Sequence, residues 1–483
     1  MSSGPHTKKI GQWLGLLSVV LIVFLVAKAG GWFVARRSAV AIQRQVIQLV
    51  DDLDGHYYYD YQLLEADSPE ENLADRDNHT IRKHPLAAVF GDDWFHDVFY
   101  ITFAQFNGVP KDRQVAIRSD IGDDQIVRLM QLTQLKWLAL SGTAVTDQAI
   151  EQLSTLPYLQ RLWLGRTQVT DRSLQSLTNC ETLTHLAIEG TAMSDAGLAR
   201  IVTLPRLKFL SLGSPYVSAG GLSQLGQTGT LEELHLDRLP VSDQTLQAFE
   251  NLTRLRVLAL RMTPVTDAGM ARLSKLTQLE QLYLDGTLIS DAALTGAAAW
   301  KRLQKLSLAH TSVTDLGLQN LAECRQLKSL DLTQCRCSLG GIRELFVQHQ
   351  SRSWEEALGI VFETKLNPQG ALTSLDLSPL RVADADIQAL LSLTELQWLT
   401  MPNNNLTDKG IETLLTVPWK QLTLLRLDNA NITDQGLEQL GRLPALRTLH
   451  IASTKVSQAA VDRLVTSKVG LRVYTNPLVP IKN

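Results

Sequence analysis

The chain has 483 residues, of which 45% are hydrophobic, 20% charged and 6% aromatic, a balance that excludes both a disordered chain and an all-membrane protein. Four cysteines cannot build a disulfide framework, and a chain of this size does not need one. Lys and Arg number 46 against 49 Asp and Glu, so the formal charge is -3 and no cationic excess is available to hold a polyanion; nucleic acid is not an expected partner.

Behind a short tail (residues 1–9) that ends in Lys8 and Lys9, Ile10 to Ala27 carry no charge. As a helix those 18 residues reach roughly 27 Å, against a hydrocarbon core of ~30 Å. A second apolar stretch, Ala29 to Ala35, follows Lys28 and is ended by Arg36 and Arg37. Residues 10–35 are therefore predicted to form one transmembrane helix or signal anchor, with Trp13 and Trp32 at the two interfaces. A cleaved signal peptide is the rival reading, because Lys8 and Lys9 form a basic start and Ala27-Lys28-Ala29 a cleavage site; the length of the apolar run favours an anchor. Lys28, Arg36, Arg37 and Arg44 would draw the larger part of the chain to the cytoplasmic side. A lone apolar segment at an N-terminus is more often an export device. The expectation is a single-pass protein of the inner or cytoplasmic membrane with the remainder exported.

Residues 36–110 read as a small capping subdomain. They begin with an amphipathic helix pattern (Val40, Ile42, Val46, Ile47, Leu49, Val50) and pass through the aromatic YYYDYQ of Tyr57 to Gln62. A polar loop follows from Ala66 to Lys83, and then GDDWFHDVFYITF from Gly91 to Phe103, whose last residues alternate like a strand.

From residue 111 the chain repeats itself. The first leucine of an L-x-x-L-x-L motif recurs every 24 residues at Leu135, Leu159, Leu183, Leu207, Leu231, Leu255, Leu279, Leu303 and Leu327, and an imperfect unit precedes it. Counting from that leucine, offsets 3 and 5 alternate as in a strand, whereas offsets 15, 18 and 21 share one helical face. The fold class is thus α/β: a leucine-rich repeat solenoid, a curved parallel sheet with short outer helices. Offset 8 is mostly threonine, placed to bond the turn after the strand, and offsets 11 and 12 read Thr/Ser-Asp, a helix N-cap followed by an acid that suits the positive helix start. The first array covers 111–350, residues 351–371 are an insertion, and repeats resume over 372–483 with a closing strand near Leu471 to Tyr474.

The VTDxGL-type 24-residue repeats, with the apolar N-terminal segment, the YYYDYQ stretch and the GDDWF block, resemble uncharacterised membrane-anchored leucine-rich repeat proteins abundant in planctomycete bacteria. The resemblance spans nearly the whole chain. It implies the fold and a bacterial origin and brings no activity with it. The repeats also look like those of F-box leucine-rich repeat adaptors, but an F-box is not recognisable and the apolar segment argues against a ubiquitin-ligase role.

Chemistry-bearing motifs are sparse. Cys180, Cys324, Cys335 and Cys337 each replace a core or turn residue of the repeat, which makes them buried thiols rather than a metal site. Asp51-Asp52-Leu53-Asp54-Gly55 fails as a calcium loop, because Val50 and Tyr61 occupy its first and twelfth places. Neither a catalytic fingerprint nor a cofactor motif is found, so no enzyme, cofactor or metal is expected. What remains is the concave face, where offsets 2, 4 and 6 point away from the core. Trp137, Arg161, Trp163, His185, Glu189, Phe209, His235, Asp237, Tyr283, Trp398 and Arg426 stand there, and these ring and guanidinium side chains are the types that anchor partners. The alternative for the same residues is packing across neighbouring strands. The expected function is a membrane-tethered scaffold that binds a protein partner on this face; the alternative is a structural, self-associating envelope component.

Overall fold

The computed structural model describes residues 35–53, 56–59, 98–102, 121–350, 352–362, 364–369 and 371–476. The expected membrane segment, the polar loop and the GDDWF block lie outside these residues; among those described, no helix is long and apolar enough to cross a membrane. The chain forms two compact units, Met1–Met193 with Leu204–Arg206, and Ser194–Thr203 with Leu207–Asn483.

In the first unit a helix over residues 35–52 buries Val40, Val46 and Val50, while Ile42, expected on the same apolar face, is exposed. Strand β1 (His56–Tyr59) pairs antiparallel with β2 (Val98–Thr102), and β2 pairs parallel with β3 (Trp137–Ala139). The segment ahead of the repeats thus supplies the strand that the first repeat would otherwise lack: Ile101 stands beside Leu138 and is fully buried. Next come β4 (Arg161–Trp163) and β5 (His185–Glu189), each in parallel register so that Leu138, Leu162 and Leu186 form one buried column.

The second unit carries the parallel run β6 (Phe209–Gly213), β7 (Glu233–His235), β8 (Val257–Ala259), β9 (Gln281–Tyr283), β10 (Lys305–Ser307) and β11 (Ser329–Asp331). A further sheet contains β12 (Thr364–Leu366), antiparallel to β13 (Leu372–Asp376), then β14 (Trp398–Thr400), β15 (Leu424–Arg426), β16 (Thr448–His450) and β17 (Arg472–Tyr474) in parallel. The inserted stretch supplies the helix Trp354–Val361 and strand β12, which takes the side of β13 that a preceding repeat would occupy. It is anchored by Trp354, whose Nε1 donates to Ala389 O at 3.0 Å. These are leucine-rich repeats, with strands and helices at the expected offsets.

The offset-8 threonines act as their position suggests: Thr143 Oγ1 donates to Leu140 O at 2.7 Å, Thr167 Oγ1 to Leu164 O at 2.6 Å and Thr263 Oγ1 to Leu260 O at 2.7 Å. Each satisfies a carbonyl in a buried turn. The residue before this threonine lies in the left-handed region. It is glycine at Gly142, Gly190 and Gly286, yet Arg166, Met262 and His310 adopt φ of 56–57° in its place. The turn needs that conformation so that the residue's N–H reaches the next strand, as Gly142 N does to Gly165 O at 2.8 Å.

The offset-12 aspartates do something the sequence reading did not assign. The hydroxyl before most of them does cap its own helix, as Thr146 does by accepting from Gln148 N at 3.2 Å, whereas Ser290 makes no such bond. The carboxylate, however, reaches into the following repeat. Asp123 accepts from Thr146 N at 2.8 Å and from the Thr146 hydroxyl at 2.5 Å; Asp243 does the same to Thr266, Asp291 to Thr314, Asp315 to Ser338 and Asp408 to Thr433. Burial works to raise the Asp147 carboxyl, but hydrogen bonds from Ser173 and Thr170 outweigh it and hold it below the ordinary aspartate value.

This ladder also explains the glycine of the VTDxGL pattern. A Cβ added to Gly317 would lie 2.5 Å from Asp291 Oδ1, and at Gly341 it would overlap Asp315 Oδ1, so glycine leaves the room the carboxylate needs. Where serine stands instead, as at Ser173, its hydroxyl donates to Asp147. Gly341→Ala is predicted to destabilise the full chain by ~1–3 kcal/mol, read as a lower urea midpoint. In an Asp315→Ala background the same change should cost much less, because its collision partner is gone; full additivity of the two substitutions would show that the glycine serves another purpose.

Candidate functional site

The open face of each sheet, on the side away from the helices, carries the residues singled out from sequence. In the first unit Trp137 is largely covered, at 8% exposed, because the Arg161 guanidinium lies 4.0 Å above its ring. The expected exposed tryptophan is therefore corrected to a covered one. Parallel register places Arg161 directly opposite Trp137, which is what lets the cation stack on the ring. Trp163 and Glu189 are half-buried, and His185 Nδ1 lies 2.8 Å from Thr184 Oγ1.

In the second unit the rings of Phe209 and His235 meet at 5.3 Å with a 41° tilt. Beyond them Arg261 is held on three sides. Its Nη1 lies 2.9 Å from Asp237 Oδ2, its Nε 2.9 Å from Asp285 Oδ2, and its guanidinium 3.9 Å above the Tyr283 ring. Tyr283 is consequently 9% exposed and packs with Val257 and Ala259, again a correction to the expectation of an exposed ring. The Tyr283 hydroxyl donates to Gln281 Oε1 at 2.7 Å. With its charge matched by two carboxylates, Arg261 is a rigid part of the surface rather than a free anion binder.

The second sheet of the same unit differs. Trp398 remains 44% exposed with Lys365 Nζ 5.4 Å from its ring centroid. Arg426 Nε pairs with Asp428 Oδ2 at 2.5 Å, and Asp428 Oδ1 accepts from Ala452 N at 2.8 Å. His450 stacks on Tyr474 at 4.6 Å and is buried; burial, reinforced by Arg426 and opposed by Asp428, holds its imidazole below the usual histidine value.

Sequence reasoning found the face but missed the covering of its rings by arginines. The signal was available: Trp137 and Arg161 stand one repeat apart at the same offset. The four cysteines are buried free thiols, as their offsets implied. Burial pushes the Cys324 thiol up to about 12, far from reactive at neutral pH. Among the described residues, no group of three or more His, Cys, Asp or Glu is arranged to hold a metal ion.

No family model matches the chain, and no curated protein matches it. Among solved structures it is similar to an internalin from Listeria monocytogenes, at 22% identity over 73% of this chain and 83% of that one, with a TM-score of 0.40. It is also similar to the leucine-rich repeat ectodomain of the Arabidopsis receptor kinase HAESA, solved with a peptide hormone ligand, at 16% identity over 91% of this chain and 77% of that one, with a TM-score of 0.45. At these identities the likeness concerns fold alone.

The depressed His450 value has a consequence for stability. Because the unfolded chain takes up that proton more readily, the contribution of His450 is complete above the unfolded value of ~6.5 and is lost as pH falls through it toward the folded value. The urea midpoint should therefore drop between about pH 7 and 5, and a His450→Gln variant should show a smaller drop. Equal drops in the two proteins would mean that His450 is not held neutral.

Proposed function

We propose that the chain is a membrane-tethered recognition scaffold that binds a protein partner through the open faces of its sheets. The observation that carries this reading is the state of the ring and guanidinium side chains: Trp137 under Arg161, Arg261 locked between Asp237 and Asp285, and Trp398 standing out beside Lys365. Groups fixed by their neighbours before any partner arrives lose little rotamer freedom on binding, so contact energy is kept. Recognition by such a face needs shape and charge complementarity, not a reactive group. Tethering rests on the uncharged run from Ile10 to Ala27, and we read the repeats as exported because a lone apolar segment of this kind is more often an export device.

Proximity labelling by the full-length protein in native cells, followed by identification of the labelled proteins, provides the partner. Trp163→Ala and Trp398→Ala should then each weaken that complex by ~2 kcal/mol, roughly thirtyfold, while the melting temperature stays nearly constant. Unchanged affinity, or labelling of other copies of this chain alone, would favour the self-associating structural role. The tether is checked separately: the full-length chain should stay with the membrane after a carbonate wash. Recovery of a chain beginning at Gly30 would establish the cleaved signal peptide instead.

A further inference from the structure

Offset 9, on the rim beside the sheet, changes character along the second unit. Tyr216, Pro240, Pro264 and Leu288 occupy it in four successive repeats and are all exposed, Tyr216 at 66% and Leu288 at 68%. Met262, 61% exposed, adds to the same stretch by lying over Gly286, where a Cβ would collide with its sulfur. The next three occupants are Ser312, Arg336 and Arg381. Consecutive rim positions are tied by the main chain, since Leu288 N donates to Val265 O at 3.0 Å, Ser312 N to Ile289 O at 3.1 Å and Arg336 N to Val313 O at 3.1 Å. Elsewhere the same offset is small or polar, as at Ala144, Gln168, Asn405, Asn431 and Lys455.

At the basic end, His310, Gln334, Arg336 and Arg381 line one cavity of about 390 Å³. Among the described residues neither Arg336 nor Arg381 has a side-chain hydrogen bond or ion pair, in contrast to Arg261 and Arg426 on the sheet face. Two arginines lining one cavity bring like charges to it, which an anion there would offset. Contiguous exposed apolar side chains are likewise costly on a surface that nothing covers.

We propose that this rim is a docking track for an extended peptide segment of a protein partner, apolar along its first part and carrying acidic side chains after it. Three strand spacings of ~4.8 Å separate Tyr216 from Leu288, about 14 Å, which four extended residues span. Two more spacings, about 10 Å, lead to Arg336, so the acids follow roughly three residues later. The guanidinium groups of Arg336 and Arg381 pair with the carboxylates, and the apolar side chains lie against Tyr216, Met262 and Leu288. None of these residues lies on the open sheet face, so the track stands or falls independently of the ring-bearing site.

The test uses the full-length chain and three blocked octapeptides, measured by fluorescence polarisation. The first has four alternating leucines and valines, then two serines and two aspartates; the second replaces the aspartates with lysines; the third replaces the leucines and valines with serines. The first should bind saturably, and the other two at least tenfold more weakly. Arg336→Gln with Arg381→Gln should lower affinity for the first peptide tenfold or more, and Leu288→Ser should lower it severalfold. All three positions are exposed, so the melting temperature should not move. Trp163→Ala should leave peptide affinity unchanged. Absence of binding by the first peptide, equal binding of the aspartate and lysine peptides, or indifference to the double arginine substitution would overturn the proposal. A loss caused by Trp163→Ala as large as that caused by the arginine substitutions would also overturn it, by moving the site to the sheet face.

Discussion

The fold depends on a carboxylate that reaches forward by one repeat. A stack of strands and short helices buries its leucines well, but apolar burial has no direction and would tolerate slippage between layers. The aspartate at offset 12 removes that freedom. It accepts both the N–H and the hydroxyl of the next helix cap, as Asp315 does from Ser338 N at 2.7 Å and from the Ser338 hydroxyl at 2.6 Å, so that helix start is fixed by the layer before it. Charge-assisted bonds of this kind are stronger than neutral ones, and the contribution recurs along the array except where Ala219 and Leu339 stand at this offset. The glycine of the following repeat, three residues after that cap, is a consequence of the same constraint, since a Cβ at Gly341 would stand where the Asp315 carboxylate is.

The open sheet face follows from this regularity. Because register is fixed, side chains at equal offsets stand directly beside one another, and a ring at one level meets an arginine at the next. Arg161 on Trp137, at the same offset, and Arg261 on Tyr283, across a diagonal, are cations placed over rings, their charge either shared with the π face or matched by flanking aspartates. Such a surface is stiff. It differs from a patch of freely rotating side chains in having most of its conformational freedom removed during folding.

The fold was legible because its signal is repeated. A 24-residue period survives local irregularity, and offsets 3 and 5 carry their meaning in every copy, as Leu138 and Leu140 do in the first. The closing strand expected near Leu471 to Tyr474 is β17. Readings that depend on one residue's surroundings fared differently. The aspartates were assigned to their own helices because a sequence shows neighbours along the chain and hides those one layer away. Trp137 and Tyr283 were expected to be exposed because their offset points away from the core, yet exposure depends on what the adjacent strand carries. Left-handed residues such as Met262 and His310 left no local trace; only Gly142, Gly190 and Gly286, at the same offset, hinted at the conformation.

The insertion before β13 interrupts the layer-to-layer bonding in one place. From β10 to β11 the main chain is held by Leu308 N to Asp331 O at 2.9 Å, His310 N to Thr333 O at 2.7 Å and Gln304 O accepting from Lys328 N at 2.7 Å. From the β11 turn to the β13 turn, Gln334 N to Pro379 O at 2.9 Å is the bond of this series found among the described residues, supplemented by Asp386 accepting from Leu339 N at 3.0 Å and by the Trp354 indole. In a linear array, cooperativity passes only between neighbours and is set by the weakest interface. Local opening that begins at the C-terminal end should therefore slow at this seam, with amides in β14 to β16 exchanging with solvent as one group. The inserted helix thus thins the layer-to-layer main-chain bonding of a chemically uniform repeat array at one place.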